Sequence, residues 1–103
     1  MAPSADPAAG VSDTSVRLTL INPLGLHARP AAQIATAVGS LAATVAVEAG
    51  GRRADATSSL ELLTLGAGQG AEITVTATGA DAVRAIDAVR ELVLAGFGEL
   101  EAG

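Results

Sequence analysis

From Thr14 onward apolar and polar side chains alternate, with Val16, Leu18 and Leu20 on one side of the chain and Ser15, Arg17 and Thr19 on the other. A period of two is what a half-buried strand requires. Asn22-Pro23-Leu24-Gly25 breaks the pattern as a loop. Between Ala28 and about Ser40 the period lengthens: Ala31, Ile34, Ala35, Val38 and Leu41 form one stripe of mostly small residues, which predicts a helix packed closely on a sheet. Alternation returns from Thr44 to Glu48, Ala49-Gly50-Gly51 supplies a tight turn, and Arg52 to Ala56 completes a hairpin with a short polar strand. Ser58 or Ser59 is placed to cap a short helix holding Leu60, Leu62 and Leu63, with Glu61 near its positive end. After the loop 66–70, Ile73 and Val75 mark another strand. Thr78-Gly79-Ala80-Asp81 reads as a capping box before a last helix with the stripe Val83, Ile86, Val89, Leu92 and Val93.

The order is therefore strand, helix, strand, strand, helix, strand, helix. Each unit has one apolar face, and the simplest way to bury them all is a single four-stranded sheet covered on one face by helices, an open-faced sandwich of the α+β class. No internal sequence repeat is visible. Residues 1–13 are Ala, Pro, Ser, Gly and Asp with one Val after the initial Met, too little apolar surface to order a chain, so they read as a disordered tail or linker. The expected domain is 14–99, followed by a short tail at 100–103.

Composition narrows the function classes. A chain of 103 residues has room for one core, and with one Phe and neither Trp nor Tyr that core must be aliphatic. The net charge of −5 repels a nucleic-acid backbone or an anionic membrane. Without cysteine there is no disulfide framework, no thiolate nucleophile and no Cys-rich zinc site. The acidic residues form no spaced cation loop, and neither a signal peptide nor a run approaching the ~20 apolar residues of a membrane span is present, so a cytoplasmic protein without a metal is expected.

Candidate chemistry is concentrated in Pro23-Leu24-Gly25-Leu26-His27-Ala28-Arg29-Pro30-Ala31-Ala32, where the only histidine stands at a loop-to-helix junction. The first turn of a helix offers backbone N–H groups without internal partners and a partial positive charge, a natural seat for phosphate. That field also favours the neutral imidazole, a nucleophile near pH 7. Ala28 and Arg29 in the first turn are the candidate phosphate contacts, the Arg29 guanidinium neutralising the charge that arrives with a phosphoryl group. Pro30 suits the turn because its missing N–H would have had no helical partner. Gly25 lets the loop backbone approach closely.

Gly-Leu-His-Ala-Arg-Pro-Ala resembles the active-site signature of the histidine-containing phosphocarrier (HPr) family of the bacterial sugar phosphotransferase system, and the likeness runs from Thr14 to about Glu99. The resemblance implies a four-stranded antiparallel sheet with three helices on one side. It also implies a phosphohistidine at His27, formed on the δ nitrogen, with Arg29 contacting the phosphate. The implied role is a relay in which an enzyme I-like donor charges His27 and an enzyme II-type acceptor discharges it. No cofactor or metal is implied, and the carrier has no turnover of its own.

A second family feature, a regulatory serine, falls on Ser58. Here Ser59 stands where Gram-positive members carry an apolar residue and Glu61 where a glycine is common, and an anion added near Glu61 would be repelled, which leaves helix capping as the plainer role. Partner docking in the family uses the face around the histidine and second helix, which points to Leu24, Leu62 and Leu65 as docking candidates, with core packing as the other reading of the leucines in this region. Gly66-Ala67-Gly68-Gln69-Gly70 lacks the Lys-Ser/Thr of a nucleotide loop and reads as a turn. A small monomer is expected, and two alternatives stand beside the free carrier. One is an HPr-like domain of a multidomain dihydroxyacetone kinase phosphotransfer subunit, suggested by the alanine-rich start and by Ala95-Gly96-Phe97-Gly98-Glu99, with a kinase subunit as acceptor. The other is a non-catalytic docking module, which an intact His27 and Arg29 argue against.

Overall fold

A computed structural model describes residues 12–100. The elements are β1 (Ser12–Thr19), α1 (Ala28–Gly39), β2 (Thr44–Ala49), β3 (Arg52–Asp55), α2 (Ser59–Leu63), β4 (Glu72–Gly79) and α3 (Ala82–Leu94), followed by a 3-10 turn at Gly96–Gly98. This is the order expected from the periodicities. The first strand begins at Ser12, so the domain includes two residues assigned above to the tail, and the remainder of 1–13 lies outside the described residues.

The four strands form one antiparallel sheet in the order β1-β4-β2-β3. The last strand in sequence, β4, therefore sits between the first and second, pairing Val16 with Val75 and Leu18 with Ile73 on one side and Val47 with Val75 on the other. Ile73, Val75 and Ala77 point from β4 into the core, while Arg17, Glu48, Arg53 and Glu72 remain exposed. Three helices cover the apolar face, giving the open-faced sandwich. Pro30, Ala31, Ile34 and Val38 bury the inner side of α1, and Leu62 does so for α2.

Two local expectations differ from the structure. Val83 is 58% exposed, and the inward stripe of α3 is Ala82, Ala85, Ile86, Val89 and Val93. With Ala82, Ala85 and Ile86 on the inner face, Val83, next to Ala82 in the chain, falls on the outer side of the helix. The capping box does not form either: Thr78 belongs to β4, and the Asp81 carboxylate, which does not cap α3, accepts the Ala42 N–H at 2.7 Å. Asp81 is used to tie the start of α3 to the loop before β2, where Gly79 approaches so closely that a Cβ would lie 2.7 Å from the Ala42 carbonyl oxygen.

Candidate functional site

His27 is the N-cap residue of α1, with extended backbone angles and no hydrogen bond from its side chain to its own helix. The loop before it is held from both sides. Leu26 N–H donates to the Ala67 carbonyl at 2.9 Å, and Gly25, at φ +61°, lies against the same segment so tightly that a Cβ would sit 2.2 Å from the Ala67 oxygen. Only glycine meets both conditions without displacing the backbone. The loop that carries the histidine is thus fixed by residues 67–68, the segment read from sequence as a simple turn.

The helical ladder starts with Ala31 N–H donating to the His27 carbonyl, so the N–H groups of Ala28 and Arg29 stand ahead of it, and Pro30 has none to leave unpaired. No acidic side chain occupies this first turn. Arg29 is exposed and, among the described residues, makes no ion pair. The two amides and the guanidinium make an electropositive approach beside the imidazole, suited to a phosphoryl group.

Two residues that the sequence analysis did not assign complete the arrangement. Glu99 Oε2 lies 2.7 Å from His27 Nε2, across 72 positions of sequence. Asn22 donates from Nδ2 to the other oxygen, Glu99 Oε1, at 2.9 Å, and to the Gly25 carbonyl at 2.8 Å. Asn22 is wholly buried, and its Oδ1 has no partner among the described residues. The amide cannot turn over to satisfy that oxygen, because it would then face a carbonyl and a carboxylate. The two bonds it does make outweigh an orphan acceptor that costs about 1–3 kcal/mol. The Asn22 bond holds the Glu99 carboxyl below its ordinary value, helped by the His27 bond and by attraction to His27 and Arg29 and opposed by desolvation.

Glu99 reaches the histidine through a sharp reversal after α3. Gly96, Phe97 and Gly98 all have positive φ, and Phe97, at +56°, is the one non-glycine residue among those described that does so. Its ring is buried, and its carbonyl accepts a 3.4 Å bond from Gln33 of α1. A left-handed conformation costs a bulky residue about 1–3 kcal/mol and persists where packing fixes it. The Gly-flanked Phe was a local sign of a turn, but nothing local could show that the acid after it returns to His27.

The leucines divide differently from the expectation. Leu24 is 67% exposed, but Leu62 and Leu65 are buried and cannot offer side chains to a partner. The short helix turns Leu60 and Leu63 outward instead, because residues two apart on a helix face different ways. Ser58 is the N-cap of α2, its Oγ accepting the Glu61 N–H at 3.1 Å. Among the described residues no cluster of His, Cys, Asp or Glu could hold a metal ion, and no helix is long and apolar enough to cross a membrane.

Comparison with known proteins places this geometry in context. A family described as the PTS HPr component phosphorylation site matches residues 14–94. The phosphocarrier protein HPr of Cupriavidus necator is 39% identical over 83 residues, covering 81% of this chain and 93% of the relative. The phosphoryl donor subunit DhaM of the PEP-dependent dihydroxyacetone kinase of Providencia stuartii is 42% identical over 78 residues, 76% of this chain but only 16% of that relative's length. Among solved structures, HPr from Thermoanaerobacter tengcongensis superposes with a TM-score of 0.80 at 32% identity, covering 84% of this chain and 97% of that one.

Proposed function

The chain belongs to the HPr family of phosphocarriers, and from that premise we propose that His27 is the residue that carries its phosphoryl group. The observation that supports this most is the position of the ring at the open end of α1, beside the amides of Ala28 and Arg29 and the Arg29 guanidinium, which have no partners among the described residues. A neutral ring nitrogen attacks the donor's phosphorus, and the arriving negative charge lies against the positive helix end and Arg29. The donor is an enzyme I-like protein and the acceptor an enzyme II-type protein, and the carrier itself works in the cytoplasm. The exposed Leu24 is a contact for them.

A second acceptor has a specific observation in its favour. The match to a dihydroxyacetone kinase phosphoryl donor subunit covers most of this chain and a small part of that protein, as expected if one fold serves both free carriers and carrier domains. In that reading His27 passes its group toward a kinase subunit.

Incubation with enzyme I and phosphoenolpyruvate, followed by intact mass and acid treatment, tests the carrier role. Wild type is expected to gain one acid-labile phosphoryl group and His27→Ala none. A gain retained in His27→Ala, or an acid-stable one, would remove His27 from the relay. Adding each acceptor class to the charged protein then separates the two readings.

A further inference from the structure

Nothing in the carrier role by itself requires the far end of the chain to touch the histidine. Yet Glu99 does so, and Asn22 holds it there. An ionised carboxylate only accepts hydrogen bonds, so the nitrogen it faces, Nε2, must carry the hydrogen. In the neutral ring the lone pair then lies on Nδ1. Among the described residues the Nε2 contact is the only hydrogen bond that the ring makes.

We propose that Glu99, held by Asn22, is a positioning residue that sets the tautomer of His27, keeping hydrogen on Nε2 and leaving Nδ1 as the phosphoryl-accepting atom. The inference rests on the carrier reading of His27. In the step itself, the Nδ1 lone pair forms the new N–P bond while the N–P bond of a phosphohistidine donor breaks, its electron pair returning to the donor's imidazole. The His27 ring, with Nε2–H retained, becomes positively charged. That charge faces Glu99 Oε2, 2.7 Å away in the uncharged carrier. No proton has to leave or arrive during transfer.

The network makes an unusual demand of the isosteric variant. In Glu99→Gln the Asn22 Nδ2 donor accepts only an oxygen opposite it, which fixes the glutamine carbonyl where Oε1 stands and its amide where Oε2 stands. That amide points an N–H at Nε2, which can answer only with a lone pair, so the ring hydrogen moves to Nδ1 and blocks the nucleophile. Glu99→Ala merely returns the ring to water. A structural role for Glu99 would rank the variants the other way, since glutamine preserves shape and hydrogen bonding and alanine removes both.

The test is ring-nitrogen NMR on wild type, Glu99→Gln and Glu99→Ala at about pH 8.5, roughly two units above the reference histidine value, with phosphorylation rates by enzyme I and phosphoenolpyruvate measured in parallel. Expected are a lone-pair Nδ1 in wild type, a hydrogen-bearing Nδ1 in Glu99→Gln, and rates falling in the order wild type, Ala, Gln, the last about tenfold slow as a neutral hydrogen bond would produce. An unchanged tautomer in Glu99→Gln, or a Gln rate equal to or above the Ala rate, overturns the proposal. The spectra need no donor protein. Failure of wild-type His27 to take the label would therefore defeat the carrier reading while the tautomer was still decided.

Discussion

Helices α1 and α2 both begin with a polar residue at the N-cap, and the two starts are built to opposite ends. At α2, Ser58 bonds the Glu61 N–H, and the Glu61 side chain accepts the Asp55 N–H at 2.9 Å, so the cap side chain is committed to its own helix. At α1 the N-cap side chain turns away from its own helix toward Glu99, and the amides of the first turn are left for another group. A cap that is satisfied internally stabilises a helix. One that is left open keeps an anion site, and its cost falls on the stability of that end.

The strongest way to break this contrast is to give α1 a capping serine, whose Oγ can accept the Arg29 N–H but not one three residues on, because Pro30 stands where α2 has Glu61. His27→Ser is expected to abolish phosphoryl acceptance in the mass assay. Its stability in urea should change by less than about 1 kcal/mol, a new cap of about 1 kcal/mol offsetting the lost Glu99 hydrogen bond. Gly25→Ala attacks the platform under the site. Left-handed backbone costs about 1–2 kcal/mol and the overlap with Ala67 about 1–3 more. Denaturation should show a loss of at least about 2 kcal/mol, and the same substitution at Gly50, whose Cβ would meet nothing, a smaller one.

Arg29→Ala should slow phosphoryl acceptance roughly 10- to 100-fold in a rapid-mixing assay, the effect of removing one positive group from a transferring phosphoryl, with little change in stability. Ser58→Ala reverses that profile: a loss of about 1 kcal/mol in denaturation, as for a removed cap, with the phosphorylation rate unaltered. The smallest effect is on acid titration. Glu99 is held below 4.5 chiefly by Asn22, and Asp55 below 3.8 by the Thr57 backbone and hydroxyl. A depressed folded value means stabilisation that is full above the unfolded value and fades as pH falls through the folded one. Carboxyl-carbon NMR should show both midpoints below those values, and Asn22→Ala should raise that of Glu99 without moving that of Asp55.

The same contrast explains what could be read from the sequence. His27, Ala28, Arg29 and Pro30 are neighbours in the chain, and a helix start is a local event, so that half of the site was legible, as were every strand and helix with a clear period. Asn22 looked like one more loop residue and Glu99 like the last residue of the domain, because their meaning depends on a contact 77 positions apart. The burial of Leu62 and Leu65, and the exposure of Val83, depend on how far each helix is rotated against the sheet. Asp81 had the spacing of a cap, yet tertiary structure gave it a partner at Ala42.

The sheet order places the first strand against the last, and the site joins residue 27 to residue 99. On a ribosome adding roughly 5–20 residues per second, the histidine is made about 4–14 s before the acid that orients it. A nascent chain therefore holds the whole signature motif without β4 to dock its first strand or Glu99 to set its imidazole. The network that orients the ring is therefore completed last, after the Gly96-Phe97-Gly98 reversal has been made.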